Sequence, residues 1–375
     1  MLDRVRLHHF RNHAGSTIAG ASRFNLLLGE NGAGKTNVLE AISLLAPGRG
    51  LRRAALTDMA GHGTPQSPAP GGFTITAELG QPQSEPIHLG TATSPEHPSR
   101  RRIRVNGADT PASALSEWLG IFWLTPAMDR LFADTPGTRR RFMDRMALAL
   151  QPAHAANASR YERALRERNR LLAAPNPDPR WFDHLEAQMA EAGAALASAR
   201  AALVESLATA LAAEPPSPFA RPTLAYQPGG PLTAPALAEA LAASRPRCRA
   251  AQRSLTGPHR DDLAVTLTAK NQPAADCSTG EQKAMLIAIT LAHADLGADL
   301  ATSGEPRPRL LLLDEVAAHL DASRRDALFE RLAAGSAQVW ITGTESAPFA
   351  WLSGHKEVGA SCWRVRDGTV EAEGI

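Results

Sequence analysis

Lysine is nearly absent from this 375-residue chain: Lys35, Lys270, Lys283 and Lys356 stand against 36 arginines. Aromatic residues make up only 5%, so base-stacking platforms for single-stranded nucleic acid are scarce. The net charge of +2 gives no global field toward a polyanion. Cys248, Cys277 and Cys362 are odd in number and far apart, which excludes a disulfide framework and a CxxC metal site and suits a reducing compartment. No stretch approaches the ~20 apolar residues that span a bilayer, and residues 1–6 lack the apolar run of a signal peptide. The chain is therefore expected to be soluble and cytoplasmic, with no membrane partner. With 43% hydrophobic and 21% charged residues, it has an ordinary globular balance. GC-rich coding explains abundant arginine and alanine as well as any partner does, so the bias assigns none by itself.

What is present falls into three textures. Residues 2–7 alternate apolar and polar as a half-exposed strand does, and 24–28 form a more apolar strand running into a glycine-rich loop. A helix is expected over 36–45, closed by Pro47-Gly48; a Gly-, Pro- and Ser-rich loop over 61–72; and short strands at 73–79 and 103–105, with Asn106-Gly107 as a turn. From 110 to 254, Ala, Leu, Arg and Glu recur at helical spacing in 138–150, 157–173 and 180–213. The last two form an expected antiparallel pair across the proline-rich turn at 175–179. Strand patterns return at 262–267, 310–313 and 338–341, with helices from Thr279 and Ala322. The expected organisation is α/β: a head from residues 1–109 and 255–375, with an inserted mainly helical lobe at 110–254.

Gly29-Glu30-Asn31-Gly32-Ala33-Gly34-Lys35-Thr36 fits G-x-x-x-x-G-K-[ST] at every required position, between an apolar strand and a helix. Such a loop turns successive N–H groups inward around phosphate oxygens at a helix N-terminus. Lys35 would reach the β- and γ-phosphates of ATP, and the Thr36 hydroxyl would ligate Mg²⁺. Leu310-Leu311-Leu312-Leu313-Asp314-Glu315 supplies the second half: a buried strand delivers Asp314 to the metal, and Glu315 stands where a carboxylate can deprotonate the attacking water.

Ser278-Thr279-Gly280-Glu281-Gln282-Lys283, upstream of Asp314, resembles the ABC signature, whose serine and glycine N–H groups bind the γ-phosphate of ATP held by another head. On its own the pattern is weak and more often an ordinary helix N-cap; its placement before the 310–315 strand favours the signature. Asp321, seven residues beyond Asp314, matches the D-loop aspartate of that class. The resemblance implies an ABC-type P-loop head with ATP sandwiched between two copies, bound through Ser278, Gly280, Gln282 and Asp321 as well as the loop. Two departures stand out. Thr342-Gly343-Thr344 occupies the place of the switch-loop histidine, and Leu124-Thr125-Pro126 has no Q-loop glutamine nearby. Slow hydrolysis, with ATP acting mainly as a switch, is the expectation. His319, near the D-loop, reads as a packing or surface residue.

Lys35 and Ser278 lie 243 positions apart, more than in transporter ATPases and far less than in long coiled-coil relatives. Within that frame the chain resembles the RecF family. Phe10-Arg11-Asn12, Asn37-Val38-Leu39-Glu40-Ala41-Ile42, Arg49-Gly50-Leu51-Arg52, Pro136-Gly137-Thr138-Arg139-Arg140-Arg141-Phe142-Met143-Asp144 and Leu255-Thr256-Gly257-Pro258-His259-Arg260-Asp261-Asp262 carry the match. Ala127-Met128-Asp129 departs from the family's Glu-Asp-Leu. The resemblance implies a weak, DNA-stimulated ATPase whose ATP-dependent dimer binds duplex or gapped DNA at the nucleoid and works with RecR and RecO in helping RecA load. A transporter ATPase subunit and a non-hydrolysing, ATP-bound scaffold are the alternatives.

Local charge is the independent case for DNA. Arg49, Arg52 and Arg53, then Arg100, Arg101, Arg102 and Arg104, then Arg139, Arg140 and Arg141, then Arg245, Arg247, Arg249 and Arg253 form clusters able to bind phosphates without reading sequence. Each cluster is equally readable as a solvated surface. His259 and Arg260 beside Asp261-Asp262 fit either a contact or an internal ion pair.

Overall fold

The computed structural model describes residues 1–61, 71–80, 85–176, 178–214, 218–299, 307–317 and 320–374. His319, Pro177 and most of the loop expected at 61–72 lie outside them. The chain divides into two compact units, one of residues 1–128 with 297–375 and the other of residues 129–296.

The first unit holds two six-stranded sheets. One is antiparallel, in the order His13–Ala19, Leu2–Phe10, Thr74–Leu79, Ile87–Ser94, His97–Val105, Ala108–Asp109. Its strands alternate because one face meets the core: Leu2, Val5, Leu7 and Phe10 of the opening strand are buried. Asn106 and Gly107, both at positive φ (49° and 82°), make the expected turn into the last strand.

The other sheet runs Thr369–Glu373, Ala360–Arg366, Phe24–Leu28, Gln338–Gly343, Arg309–Leu313, Gly120–Leu124. All neighbours are parallel except the first pair. Every residue of Phe24–Leu28 and Gln338–Gly343 is buried, the pattern of a parallel strand covered on both faces. Residues from both chain ends thus interleave in one sheet, which is the head expected from the sequence. An apolar core joins one face of this sheet, the antiparallel one and the helix Lys35–Ser43, through residues such as Leu7, Leu27, Leu39, Ile75, Leu312 and Trp340.

The expected boundaries at 109/110 and 254/255 shift. Gly120–Leu124 pairs with Arg309–Leu313 and so belongs to the head's sheet. A five-residue apolar run of this kind cannot be told from helix by periodicity. On the other side, Asp262–Leu267 pairs with Pro222–Gln227, so residues 255–296 group with the second unit.

That unit is mainly helical: Pro136–Leu150, Ala153–Ala173, Pro179–Ala213, Ala234–Ala243, Arg245–Ala250 and most of Thr279–Asp299. Arg168 pairs with Glu186 and Arg160 with Glu191, the descending register of the expected antiparallel pair. Arg168 and Glu186 are both buried, and Arg168 also donates to Ser254 Oγ and the Leu241 carbonyl oxygen, so its charge is fully engaged. Helix Pro179–Ala213 is long and apolar enough, by length and composition, to cross a membrane, which corrects the expectation that no stretch is. An alanine-rich 18-residue stretch of it reaches a mean hydropathy of 1.3, yet the helix carries the buried Glu186 and Arg200 and packs against Ala153–Ala173 and Ala234–Ala243 as the spine of its unit.

Candidate nucleotide site

Strand Phe24–Leu28 ends on Gly29, whose N–H donates to the Gly343 carbonyl oxygen at 3.2 Å. A Cβ on Gly29 would lie 2.2 Å from the Val365 carbonyl oxygen, so only glycine fits between the strands there. The loop turns through Gly32 (φ 84°) and Gly34 (φ 115°) into helix Lys35–Ser43. At Gly34 a side chain would also collide with Asn12 and His13, at 2.7–2.8 Å.

Those two residues explain the Phe10-Arg11-Asn12 segment. Asn12 Nδ2 donates to the Ala33 carbonyl oxygen at 3.0 Å, and Asn12 Oδ1 accepts from Asn37 Nδ2 at 2.7 Å. His13 Nε2 lies 3.1 Å from the Gly34 carbonyl oxygen, while its Nδ1 meets Ser16 Oγ. Burial holds His13 below the ordinary histidine value, so the ring is neutral at pH 7. Arg11 grips Glu40 with two bonds of 2.9 Å, and Arg52 adds a third at 3.2 Å. Glu40 is fully buried, so the helix behind the loop is pinned by a charge-assisted fork.

The chemical groups converge in front of this frame. Lys35, 4% exposed, donates to the carbonyl oxygens of Gly29 and Glu30 at 2.7 and 2.8 Å. Burial lowers its pKa, offset in part by Glu315 and Asp314. Thr36 Oγ1 donates to Asp314 Oδ1 at 2.8 Å, bringing together the two halves expected to share a metal. Burial pushes the Asp314 carboxyl above the usual carboxylate range, against the pull of its bonds from Thr36 and Thr342. A hydroxyl and a carboxylate oxygen meeting at a desolvated point are the hard donors that Mg²⁺ takes, usually with only one or two protein carboxylates. The donor set therefore fits that ion. Glu315, next in the chain, adopts φ 55°, a left-handed conformation costly for a residue with a Cβ. Glu30 and Asn31 are exposed at the loop's rim, and Ala33 is buried.

The remaining expected residues belong to other elements. Asp321 belongs to the first unit, where it caps helix Ala322–Ala334 by accepting from Arg324 N at 3.0 Å and Ser323 Oγ at 2.8 Å. Ser278, Gly280 and Gln282 belong to the second unit. Ser278 and Glu281 form a capping box there: Ser278 N and Oγ donate to Glu281 Oε2, and Glu281 N returns a bond to Ser278 Oγ. The N-cap reading of this segment thus holds in the structure. Gly280 is open to solvent-side approach, and Gln282 is buried with its amide nitrogen on the Cys277 carbonyl oxygen. Asp129, where the family's loop pattern breaks, pairs with Lys283 at 3.6 Å.

Several arginine clusters are internal fixtures. Arg101 donates to Thr91 Oγ1 and to the carbonyl oxygens of Leu44, Ala46 and Gly48, capping the end of the helix that follows the loop. Burial lowers its pKa to about 10. Arg102 and Arg104 share Asp109, Arg139 forks onto Asp262, and Arg245 pairs with Glu186 and Asp183. Asp261 is buried, accepting from Arg200, Tyr226 and Gly229 N, while His259 binds Tyr161 Oη and the Ser254 carbonyl oxygen. The Gly257–Asp262 segment is therefore an internal ion pair for Asp261 and a hydrogen-bonded core for His259. Arg49, Arg100, Arg247 and Arg253 are exposed and make no ion pair among the described residues.

Comparison with known proteins decides the family. Residues 1–357 match the model for the RecF/RecN/SMC N-terminal domain. The chain is 45% identical over 370 residues to the DNA replication and repair protein RecF of Mesorhizobium japonicum, covering 95% of this chain and 94% of that one. It is 46% identical over 365 residues to its counterpart in Rhizobium rhizogenes, covering 94% of each. The chain belongs to the RecF family. As a RecF-family protein of the SMC-like ATPase class, it shares its fold with a structure of the recombination mediator protein RecF-ATPrS, with a TM-score of 0.82 at 19% identity over 100% of this chain and 98% of that one. An Smc head domain from Pyrococcus furiosus is more distant, at TM-score 0.56 and 17% identity, covering 100% of this chain and 96% of that one.

The reading of the sequence overlooked Thr342, whose hydroxyl joins Asp314 and Glu315. A signal was available: a lone threonine ends the apolar strand that follows the strand bearing Asp314.

Proposed function

We propose that the chain is an ATP-dependent DNA-binding protein of recombinational repair and replication restart, and that ATP switches it between monomer and dimer. The observation that carries the reading is the bond from Thr36 to Asp314, which unites loop and strand carboxylate at one buried point. The nucleotide's phosphates would lie along the N–H groups of residues 29–36, with the Lys35 ammonium moving from the Gly29 and Glu30 carbonyl oxygens onto phosphate. Thr36 and Asp314 would hold Mg²⁺, which when bound neutralises phosphate charge. Glu315 is the proposed base for water. Ser278, Gly280 and Gln282, with Asp321, are proposed to complete the site of a second copy. In the capping box Ser278 Oγ keeps a lone pair, and Gly280 is exposed in the helix's first turn, where backbone N–H groups lack intrahelical partners.

The curated relatives' name, DNA replication and repair protein, supports duplex or gapped DNA as ligand. The solved RecF is described in the RecFOR pathway, which supports RecR and RecO as partners; action in the cytoplasm at the nucleoid and a role in loading RecA are proposed with them. Family membership displaces the transporter alternative. Steady-state ATP turnover with Mg²⁺ and gapped duplex tests the reading: wild type hydrolyses slowly and faster with DNA, whereas Lys35→Ala neither binds nor hydrolyses. Nucleotide held by wild type without any turnover in these conditions would favour the scaffold, the second reading that the missing switch histidine supports.

A further inference from the structure

At the centre of the switch-histidine segment, Gly343 leaves no room for a side chain. A Cβ on Gly343 would lie 2.4 Å from the Phe349 ring, and the Gly343 carbonyl oxygen accepts from Gly29 N, so the backbone itself abuts the loop. Thr344 is exposed. Thr342, in contrast, is fully buried. Strands Arg309–Leu313 and Gln338–Gly343 run parallel with Leu313 beside Ile341, so the next residues, Asp314 and Thr342, emerge together at the strand ends.

A threonine hydroxyl has one proton to donate and lone pairs to accept with. Thr342 uses both here. Its Oγ1 donates to Asp314 Oδ1 at 2.9 Å and accepts from Glu315 N at 2.9 Å. The second bond ties down the amide of a residue in the left-handed region, φ 55°, which persists only where its surroundings over-determine it. The first shares one carboxylate oxygen with Thr36. One side chain thus fixes the rotation of Asp314 and the backbone turn that aims Glu315.

We propose that Thr342 is a positioning residue for ATP hydrolysis, setting Asp314 and Glu315 from the strand end where related heads place a histidine. The proposal rests on the ATPase reading above. It requires that removing the hydroxyl slow turnover while leaving nucleotide binding, which depends on residues 29–36, nearly intact.

The test compares wild type, Thr342→Val and Thr342→Ser, with Mg²⁺-ATP affinity by a fluorescent analogue and turnover with gapped duplex. Valine keeps the shape and removes the hydroxyl; serine restores it. The expected result is a fall in kcat of at least about tenfold for valine, the scale of one hydrogen bond to a charged group. Affinity stays within about threefold, and serine recovers most of kcat. Valine turning over like wild type, or serine failing equally with valine, overturns the proposal alone. Wild type that binds ATP and never hydrolyses it overturns the ATPase reading and this proposal with it. If the valine protein does not fold, Thr342→Ala removes the same hydroxyl and is read by the same criteria.

Discussion

The hydroxyl of Thr36 donates to Asp314 Oδ1 at 2.8 Å, across 278 positions of chain. The two residues come from opposite ends of the sequence, and the interleaved parallel sheet makes them neighbours. Strand Phe24–Leu28 and strand Arg309–Leu313 flank the same central strand, Gln338–Gly343. Function then follows from what the sheet delivers to its carboxyl edge.

The Asp314 carboxyl, raised by burial, gives a stability signature. A carboxyl whose folded pKa lies above its unfolded value contributes stability below the unfolded value, lost as pH rises through the folded one. Asp314→Asn keeps an oxygen to accept from Thr36 and Thr342 but carries no charge. Without nucleotide, its melting temperature is expected to exceed that of wild type at pH 7, with the gap closing as pH falls toward 4. A variant less stable than wild type at pH 7 would contradict the desolvation argument.

Glu315→Gln is expected to lower kcat by about 10²-fold or more while ATP still binds, as loss of a general base does. Glu315→Gly removes the Cβ from a left-handed residue and is expected to raise thermal stability while losing turnover to a similar degree. Turnover unchanged in the glutamine variant refutes the base role.

Arg11→Ala strips the buried Glu40 of its two-bond partner and leaves only Arg52. Denaturant unfolding should show a clear loss, below the ~3–5 kcal/mol of a wholly unpaired buried charge because Arg52 still holds one Glu40 oxygen. Arg11→Met with Glu40→Leu should cost much less.

Arginines sort by what holds them. Arg247→Ala and Arg253→Ala, exposed and unpaired among the described residues, are expected to weaken DNA binding and flatten its salt dependence by about one unit per lost phosphate contact. Arg101→Ala is expected to lower the melting temperature and leave the salt slope alone, because its guanidinium is spent on carbonyl oxygens. Equal salt slopes for all three variants and wild type would remove the exposed pair from the DNA surface.

The loop, the Asp314-Glu315 pair and most of the helices were legible because each has a local signal: glycines at fixed offsets, acids ending an apolar run, apolar residues at helical spacing. Gly120–Leu124 was not, since a buried parallel strand has no alternation to mark it. Nor could charge counting separate the half-buried Arg101, held by four hydrogen bonds, from the exposed Arg100 next to it, because burial is decided by long-range packing. The Arg200–Asp261 pair lies 61 positions apart and depends on the fold of the whole second unit. Ser278 shows a further limit: one S-x-x-E pattern caps its own helix and still leaves groups for a partner, so local chemistry alone does not choose between the two uses.

ATP is proposed to join two copies through Ser278. Light scattering of wild type and Ser278→Arg, each with and without ATP and Mg²⁺, measures it directly. Wild type is expected to be a dimer only with ATP, and the variant a monomer in all conditions. A wild-type monomer with ATP, Mg²⁺ and gapped duplex present, or a dimer indifferent to both ATP and the arginine, would contradict it.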